Sequence, residues 1–174
     1  MPRVHTKTRG ATRKHTYTCN RCGEEIVKGD EFYEWSFRYG GTSRRHTRCG
    51  YPRPSELTQS IMSEVYAAQE SAHDAIDALD EKTPQATAEA LEDVVRSVGD
   101  SVQSVVDQYR EADESFGGQG ATQSGERAEE LEAWQYDLEA YQADWDDDVD
   151  ENDLDEAINN LKDEARELID GCPL

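Results

Sequence analysis

Apolar positions along this chain fall into two kinds of pattern. From residue 57 onward the spacing is helical. Leu57, Ile61, Val65, Ala68, Ala72, Ile76 and Leu79 recur at steps of 4, 4, 3, 4, 4 and 3, which keeps them on one face of a 3.6-residue helix. Leu91, Val94, Val98, Ser101 or Val102, Val105 and Tyr109 form a second stripe. Leu131, Trp134, Leu138, Tyr141 and Trp145 form a third, and Leu154, Ile158, Leu161, Ala165 and Leu168 a fourth. Upstream the period changes. Tyr33, Trp35, Phe37 and Tyr39 alternate with Glu34, Ser36 and Arg38, the period of a strand with one aromatic face. Gly40-Gly41 then suits a two-residue hairpin turn, with a return strand over 42–46. Lys28-Gly29-Asp30, between Ile26 and Phe32, reads as a tighter turn.

Local punctuation sets the expected boundaries. Pro52 and Pro54 lack the N–H groups that would carry a ladder or helix through them. Ser55 is placed to cap a helix starting at Glu56, and Thr83-Pro84 reads as the cap and first residue of another. The Gly-, Ser- and Gln-rich run at 117–126 reads as a flexible loop. The predicted organisation is a basic disordered arm at 1–16, a compact module at 17–54 and two amphipathic helices within 55–116. After the loop at 117–126 comes an acidic helical region at 127–174. The helical stripes are thin and rich in alanine, so isolated helices would be marginal. They are expected to pair in a bundle or coiled coil and to support self-association or docking of a protein partner.

Composition explains why one large core is not expected. The apolar set is 35% of the 174 residues and the charged set 33%, against roughly 45–50% apolar in an average domain. No run approaches the ~20 apolar residues of a membrane span, and no apolar stretch after the basic N-terminus reads as a secretory signal. The net charge of −21 conceals a division. Residues 1–54 hold 12 basic and 5 acidic side chains, net +7, and residues 55–174 hold 6 and 34, net −28. Such asymmetry points to segments with different partners.

The candidate chemistry lies in the basic segment. Cys19 and Cys22 form a C-x2-C pair, His46 and Cys49 an H-x2-C pair, and 23 residues separate the pairs. Two short-spaced pairs closing one loop are what a tetrahedral Cys3His zinc site requires. Four protein ligands leave no open position for water, so the single Zn2+ is expected to be structural. A module of this size cannot be held by burial alone, and zinc would supply the missing free energy. No nucleophile, general base or phosphate loop accompanies the site, so no enzymatic activity and no small-molecule substrate are expected. The predicted fold class is therefore a small β-hairpin zinc-finger module, treble-clef or ribbon-like, plus an all-α helical or coiled-coil tail.

The run from Tyr17 to Cys49 resembles a single Cys3His finger of the poly(ADP-ribose) polymerase type and is similar to half of a LIM domain. The matching residues are the four ligands and the Ile26-Val27-Lys28-Gly29-Asp30 segment, within roughly residues 16–60. The finger and its junction with the tail look like those of small zinc-finger proteins of tailed bacteriophages. The resemblance implies a zinc fold and either DNA or protein as the target. The sequence departs from the polymerase type in its shorter inter-pair loop and in Arg44-Arg45 before the histidine.

Phosphate contact is assigned to Arg13, Lys14, Arg21, Arg38, Arg44, Arg45 and Arg48, with Tyr33, Trp35 and Tyr39 as rings available for base stacking. The expected function is nucleic-acid binding, DNA foremost, through residues 1–54, with the acidic helices for assembly or docking. The alternative is a protein adaptor or virion assembly component built around the same zinc. Free Cys172 suits a reducing cytoplasm, the host's if the chain is phage-encoded, or a virion. Asp144, Asp146, Asp148, Asp150 and Asp155 have the spacing of a calcium loop, but Val149 replaces the turn glycine and Asp155 the bidentate glutamate. The stretch is read as a solvated acidic connection. His73 is read as a surface histidine.

Overall fold

The computed structural model describes residues 2–10, 16–38, 40–80, 83–115, 123–145, 149–150 and 153–173. It divides into two compact units, Met1–Ser63 and Glu64–Leu174.

The first unit is built on a three-stranded antiparallel sheet in the order β1-β2-β3, with β1 His5–Thr8, β2 Glu31–Ser36 and β3 Thr42–His46. β1 corrects the expectation of disorder for the arm. Lys7 pairs with Phe32 in register and His5 with Glu34, and Arg9 and Asp30 extend the pairing by a backbone bond of 2.8 Å. The Lys7 ammonium also meets the Glu34 carboxylate, which Arg44 Nε binds from β3 at 2.8 Å. Glu34 is therefore the shared counter-charge of all three strands. Burial works against its ionised form, but Lys7 and Arg44 outweigh this and hold its pKa below the usual carboxylate value.

The β2–β3 connection differs from the two-residue turn. The strands end at Ser36 and Thr42, and neither Gly40 nor Gly41 takes the positive φ that a primed turn requires. The Lys28-Gly29-Asp30 turn is present, with Asp30 N bonded to Val27 O at 3.1 Å and Val27 N to the Asp30 carboxylate at 2.9 Å.

The unit buries side chains on both faces of β2. Phe32 joins Cys19 and Ile26 in a miniature core edged by Tyr17 and Cys49. Trp35, of the opposite parity, is 2% exposed, and its indole N–H donates to Glu56 O at 3.2 Å. Glu56 lies in a 3-10 turn, Pro54–Leu57. The helix expected at Glu56 therefore begins only at Met62, because Thr58 leaves the turn with extended backbone.

The second unit contains four helices: α1 Met62–Ala78, which opens at the division between the units, α2 Pro84–Ser115, α3 Gln123–Glu139 and α4 Leu154–Asp170. The long α2 packs against α3 and α4. Thr83 Oγ1 accepts from Ala86 N at 3.3 Å, as its capping role predicts. The buried stripe of α2 runs through Leu91, Val95, Val98, Val102, Val105, Val106 and Tyr109. It takes Val95 in place of Val94, and Val102 as the alternative to Ser101. α3 starts inside the predicted loop and ends before Tyr141, so Tyr141 and Trp145 lie beyond it. α4 buries Ile158, Leu161, Ala165 and Ile169. Polar bonds join α1 to α4, including Gln69 to Ile169 O at 2.7 Å, His73 to Asp170 at 2.9 Å and Arg166 to Asp77 at 2.7 Å. His73 thus has a structural partner. Asp146 and Asp148 of the acidic stretch lie outside the described residues. No helix among the described residues is long and apolar enough to cross a membrane.

Candidate metal centre

The first ligand pair sits on a knuckle. Tyr17 to Ile26 folds back on itself through Ile26 N to Tyr17 O at 2.7 Å, Cys19 N to Glu24 O at 2.9 Å and Gly23 N to Cys19 O at 2.9 Å. Gly23 has φ 74°, a left-handed conformation that a side chain would strain. Asn20 N then bonds Arg44 O at 2.8 Å and fastens the knuckle to β3. The second pair comes from the end of β3, which delivers His46, and from the 3-10 turn Thr47–Cys49 that follows. Gly50, at φ 83°, turns the chain away.

These elements bring Cys19, Cys22, His46 and Cys49 together, with one ligand atom of each within 4.8 Å of all the others. The spacing can be compared with a metal. Tetrahedral zinc, with bonds of about 2.3 Å to sulfur and about 2.0–2.1 Å to nitrogen, has S···S edges of about 3.8 Å and S···N edges of about 3.6 Å. The Cys19 and Cys49 sulfurs are 3.9 Å apart, and Cys22 Sγ lies 3.6 Å from His46 Nδ1. The donor set and both edges therefore fit one tetrahedral ion. Among the described residues no other group of His, Cys, Asp or Glu is assembled in this way.

The surroundings favour thiolates unevenly. Burial raises the Cys19 pKa, but backbone N–H groups of Cys22, His46 and Arg21 and the Cys22 side chain outweigh it and lower the value to about 6. The His46 N–H lies 3.4 Å from the Cys19 sulfur. Burial pushes Cys49 up to about 11, helped by the neighbouring Cys22 and Cys19 sulfurs. Sulfurs that suppress one another's ionisation in this way are the arrangement a divalent cation relieves. Behind His46, the Asp30 carboxylate stands 3.3 Å from Nε2 but outside hydrogen-bond geometry, and Nε2 is buried without a bonded partner. A ligating histidine ordinarily turns its second nitrogen toward such a carboxylate. No sequence signal marks Asp30 for this position beyond its place in the tight turn.

The predicted phosphate contacts separate into groups. Arg45 is 1% exposed; its guanidinium donates to Tyr51 O at 3.0 Å and to Glu56. It is a strut between β3 and the following turn, and its burial withdraws it from phosphate. Arg44 is half-buried, bonded to Glu34 and lying 4.0 Å over the Tyr17 ring, which Arg9 also covers at 3.6 Å. Arg48 is exposed and pairs with Glu24 at 2.7 Å. Desolvation opposes its charge, but Glu24, Asp30, Cys22 and Cys49 raise its pKa, which places it at the rim of the metal cluster. Arg21, between the first two ligands, and Arg38 are exposed. Arg13, Lys14 and Tyr39 lie outside the described residues.

Of the predicted stacking rings, Trp35 is buried and unavailable. Tyr33 is half-buried and meets Tyr51 edge-on at 5.2 Å. Among the described residues of the first unit the exposed ring is Tyr51 at 59%, which the alternating pattern could not reveal because it follows the sheet. No family model, curated protein or solved structure matches the chain.

Proposed function

We propose that the chain is a non-enzymatic zinc-finger protein that binds nucleic acid, DNA foremost, through its N-terminal unit. Its acidic helices serve assembly or partner docking. One structural zinc, held by Cys19, Cys22, His46 and Cys49, orders the unit in a treble-clef-like or ribbon-like finger. The observation that carries the nucleic-acid reading is the pair of exposed bases set between the ligands, Arg21 and Arg48, with a third exposed base, Arg38, in the β2–β3 connection at the end of the sheet away from His46. They belong to a unit whose residues sum to +6, against −27 for the helical unit. The reading places the protein in the cytoplasm, the host's if it is phage-encoded.

The test is a titration of the full chain with intact, nicked and single-stranded DNA and with RNA, from low to physiological salt. Three phosphate contacts give a log–log salt slope of about −3 on duplex DNA. Replacing Arg21, Arg38 and Arg48 by Ala removes binding while zinc stays bound. No retention of any nucleic acid at low salt would overturn the reading. It would favour the second one, a protein adaptor or virion assembly component, which two exposed apolar side chains of the finger, Tyr51 and the 52%-exposed Val27, support as contact points.

A further inference from the structure

The sheet brings a carboxylate to the far side of the candidate histidine ligand. Phe32 of β2 pairs with His46 of β3 in register. Side chains two residues apart share a face, so Asp30, two residues before Phe32, arrives beside the His46 ring. Four bonds hold it there. Val27 N donates to the Asp30 carboxylate at 2.9 Å, and Asp30 N to Val27 O at 3.1 Å. From the other side Arg9, just past β1, clamps the turn: Arg9 N donates to Asp30 O at 2.8 Å and Gly29 N to Arg9 O at 2.9 Å. The two nitrogens of the ring face different neighbours. Nδ1 lies 3.6 Å from Cys22 Sγ, within the cluster. Nε2 is buried, has no hydrogen-bond partner and stands 3.3 Å from the Asp30 carboxylate. Asp30 is outside the group of four whose ligand atoms meet, so it acts on a metal only through the ring.

We propose that Asp30 is the positioning residue of this centre: it takes the Nε2–H of His46 and so commits the ring to bind zinc through Nδ1. The inference rests on the zinc reading and adds to it which nitrogen ligates and what holds the proton. A neutral imidazole carries one N–H. With Nδ1 on a metal the proton sits on Nε2, which is shielded from water and has the Asp30 carboxylate at hand. The opposite tautomer would set the Nε2 lone pair against that carboxylate and aim a donor at the cluster. A carboxylate behind the ring also makes the ligating nitrogen more basic. The 3.3 Å contact lies outside hydrogen-bond geometry, and its alignment on metal binding is expected.

The experiment uses the full chain with zinc ion alone as the probe. Long-range proton–nitrogen correlation spectra of the zinc-saturated protein report which nitrogen of His46 carries the proton, and competition with a chromophoric chelator gives the zinc affinity. Wild-type His46 is expected to be metal-bound at Nδ1 and protonated at Nε2, with a downfield, slowly exchanging Nε2 proton. Asp30→Asn keeps the size of the side chain and an acceptor for Val27 N. It is expected to move the ring proton upfield, to speed its exchange and to weaken zinc binding about 10–100-fold. Glu24→Gln is the charge control, since the Glu24 carboxylate lies 3.8 Å from Cys22 Sγ on the cluster side. It weakens binding less and leaves the ring proton where it was. His46 bound through Nε2, or a ring proton and zinc affinity unchanged in Asp30→Asn, overturns the inference and leaves the zinc reading standing. A wild-type chain that takes up no zinc overturns both.

Discussion

The two units reach a folded state by different means. In Glu64–Leu174 the interior is hydrocarbon: Leu91, Val95, Val102, Leu131, Ala165 and Ile169 are fully buried on three helices. Each is worth roughly 1.5–3 kcal/mol if large and less if alanine. In Met1–Ser63 the cluster beside the candidate ligands contains Cys19, Ile26 and Phe32, and the cysteine is itself one of the four candidates. Ion pairs and backbone bonds do much of the remaining work there, through Glu34 between Lys7 and Arg44 and through Arg45 between Tyr51 and Glu56. The lesson is that one chain carries two kinds of cooperativity. One fails by degrees as side chains are trimmed. The other, on the proposed zinc reading, depends on a single ion whose binding would be its folding free energy.

The largest test of this difference is removal of the metal. Zinc sites in finger peptides contribute an apparent ~10–16 kcal/mol. Cys22→Ala, or excess chelator, is therefore expected to abolish dispersed amide signals from the finger while the helical circular dichroism persists. Loss of both together would show that the units are not independent. The converse is Leu131→Ala, which empties a fully buried position in α3 and costs about 2–5 kcal/mol. Melting of the helical unit should shift down while zinc content remains one per chain.

A smaller effect is expected within the finger from Arg45→Ala. It leaves Glu56 without its buried partner, a loss of 3–5 kcal/mol for a wholly buried pair. Glu56 keeps 30% of its side chain in water, which reduces the expected cost to about 2 kcal/mol. Thermal melting of the zinc-loaded protein measures it. The smallest effect is alkaline and confined to the helices. Tyr141 has its folded pKa raised from 10.0 to about 12, so folding favours its protonated form. The contribution is complete below pH 10 and is lost as the pH rises toward 12. Tyr141→Phe should flatten the stability slope in that window, and ultraviolet titration should show one late-ionising tyrosine.

The two units also differ in how legible they were. The four candidate ligands could be read directly because short-spaced pairs are a local signal, and the fold brings them together. The helices were legible from their period, and Thr83-Pro84 fixed one start. The stripe of α2 reads through Val94, but the helix buries Val95; with consecutive valines at 94 and 95 the period alone does not tell which turns inward. β1 was hidden because His-Thr-Lys-Thr has no apolar alternation; its partners come from β2. The burial of Arg45 was hidden as well, because its partners, the Tyr51 carbonyl and Glu56, lie beyond the sheet and are brought to it only by the fold. Buried arginines and exposed ones look alike in a basic segment, which is why Arg45 reads as a phosphate contact although the fold buries it.

The central claim is that a metal ion replaces a core in the first unit. Native mass spectrometry of the purified full chain tests it most directly. The account predicts one zinc per chain, absent from Cys19→Ser, whose finger signals collapse. A metal-free chain with a folded finger would contradict it.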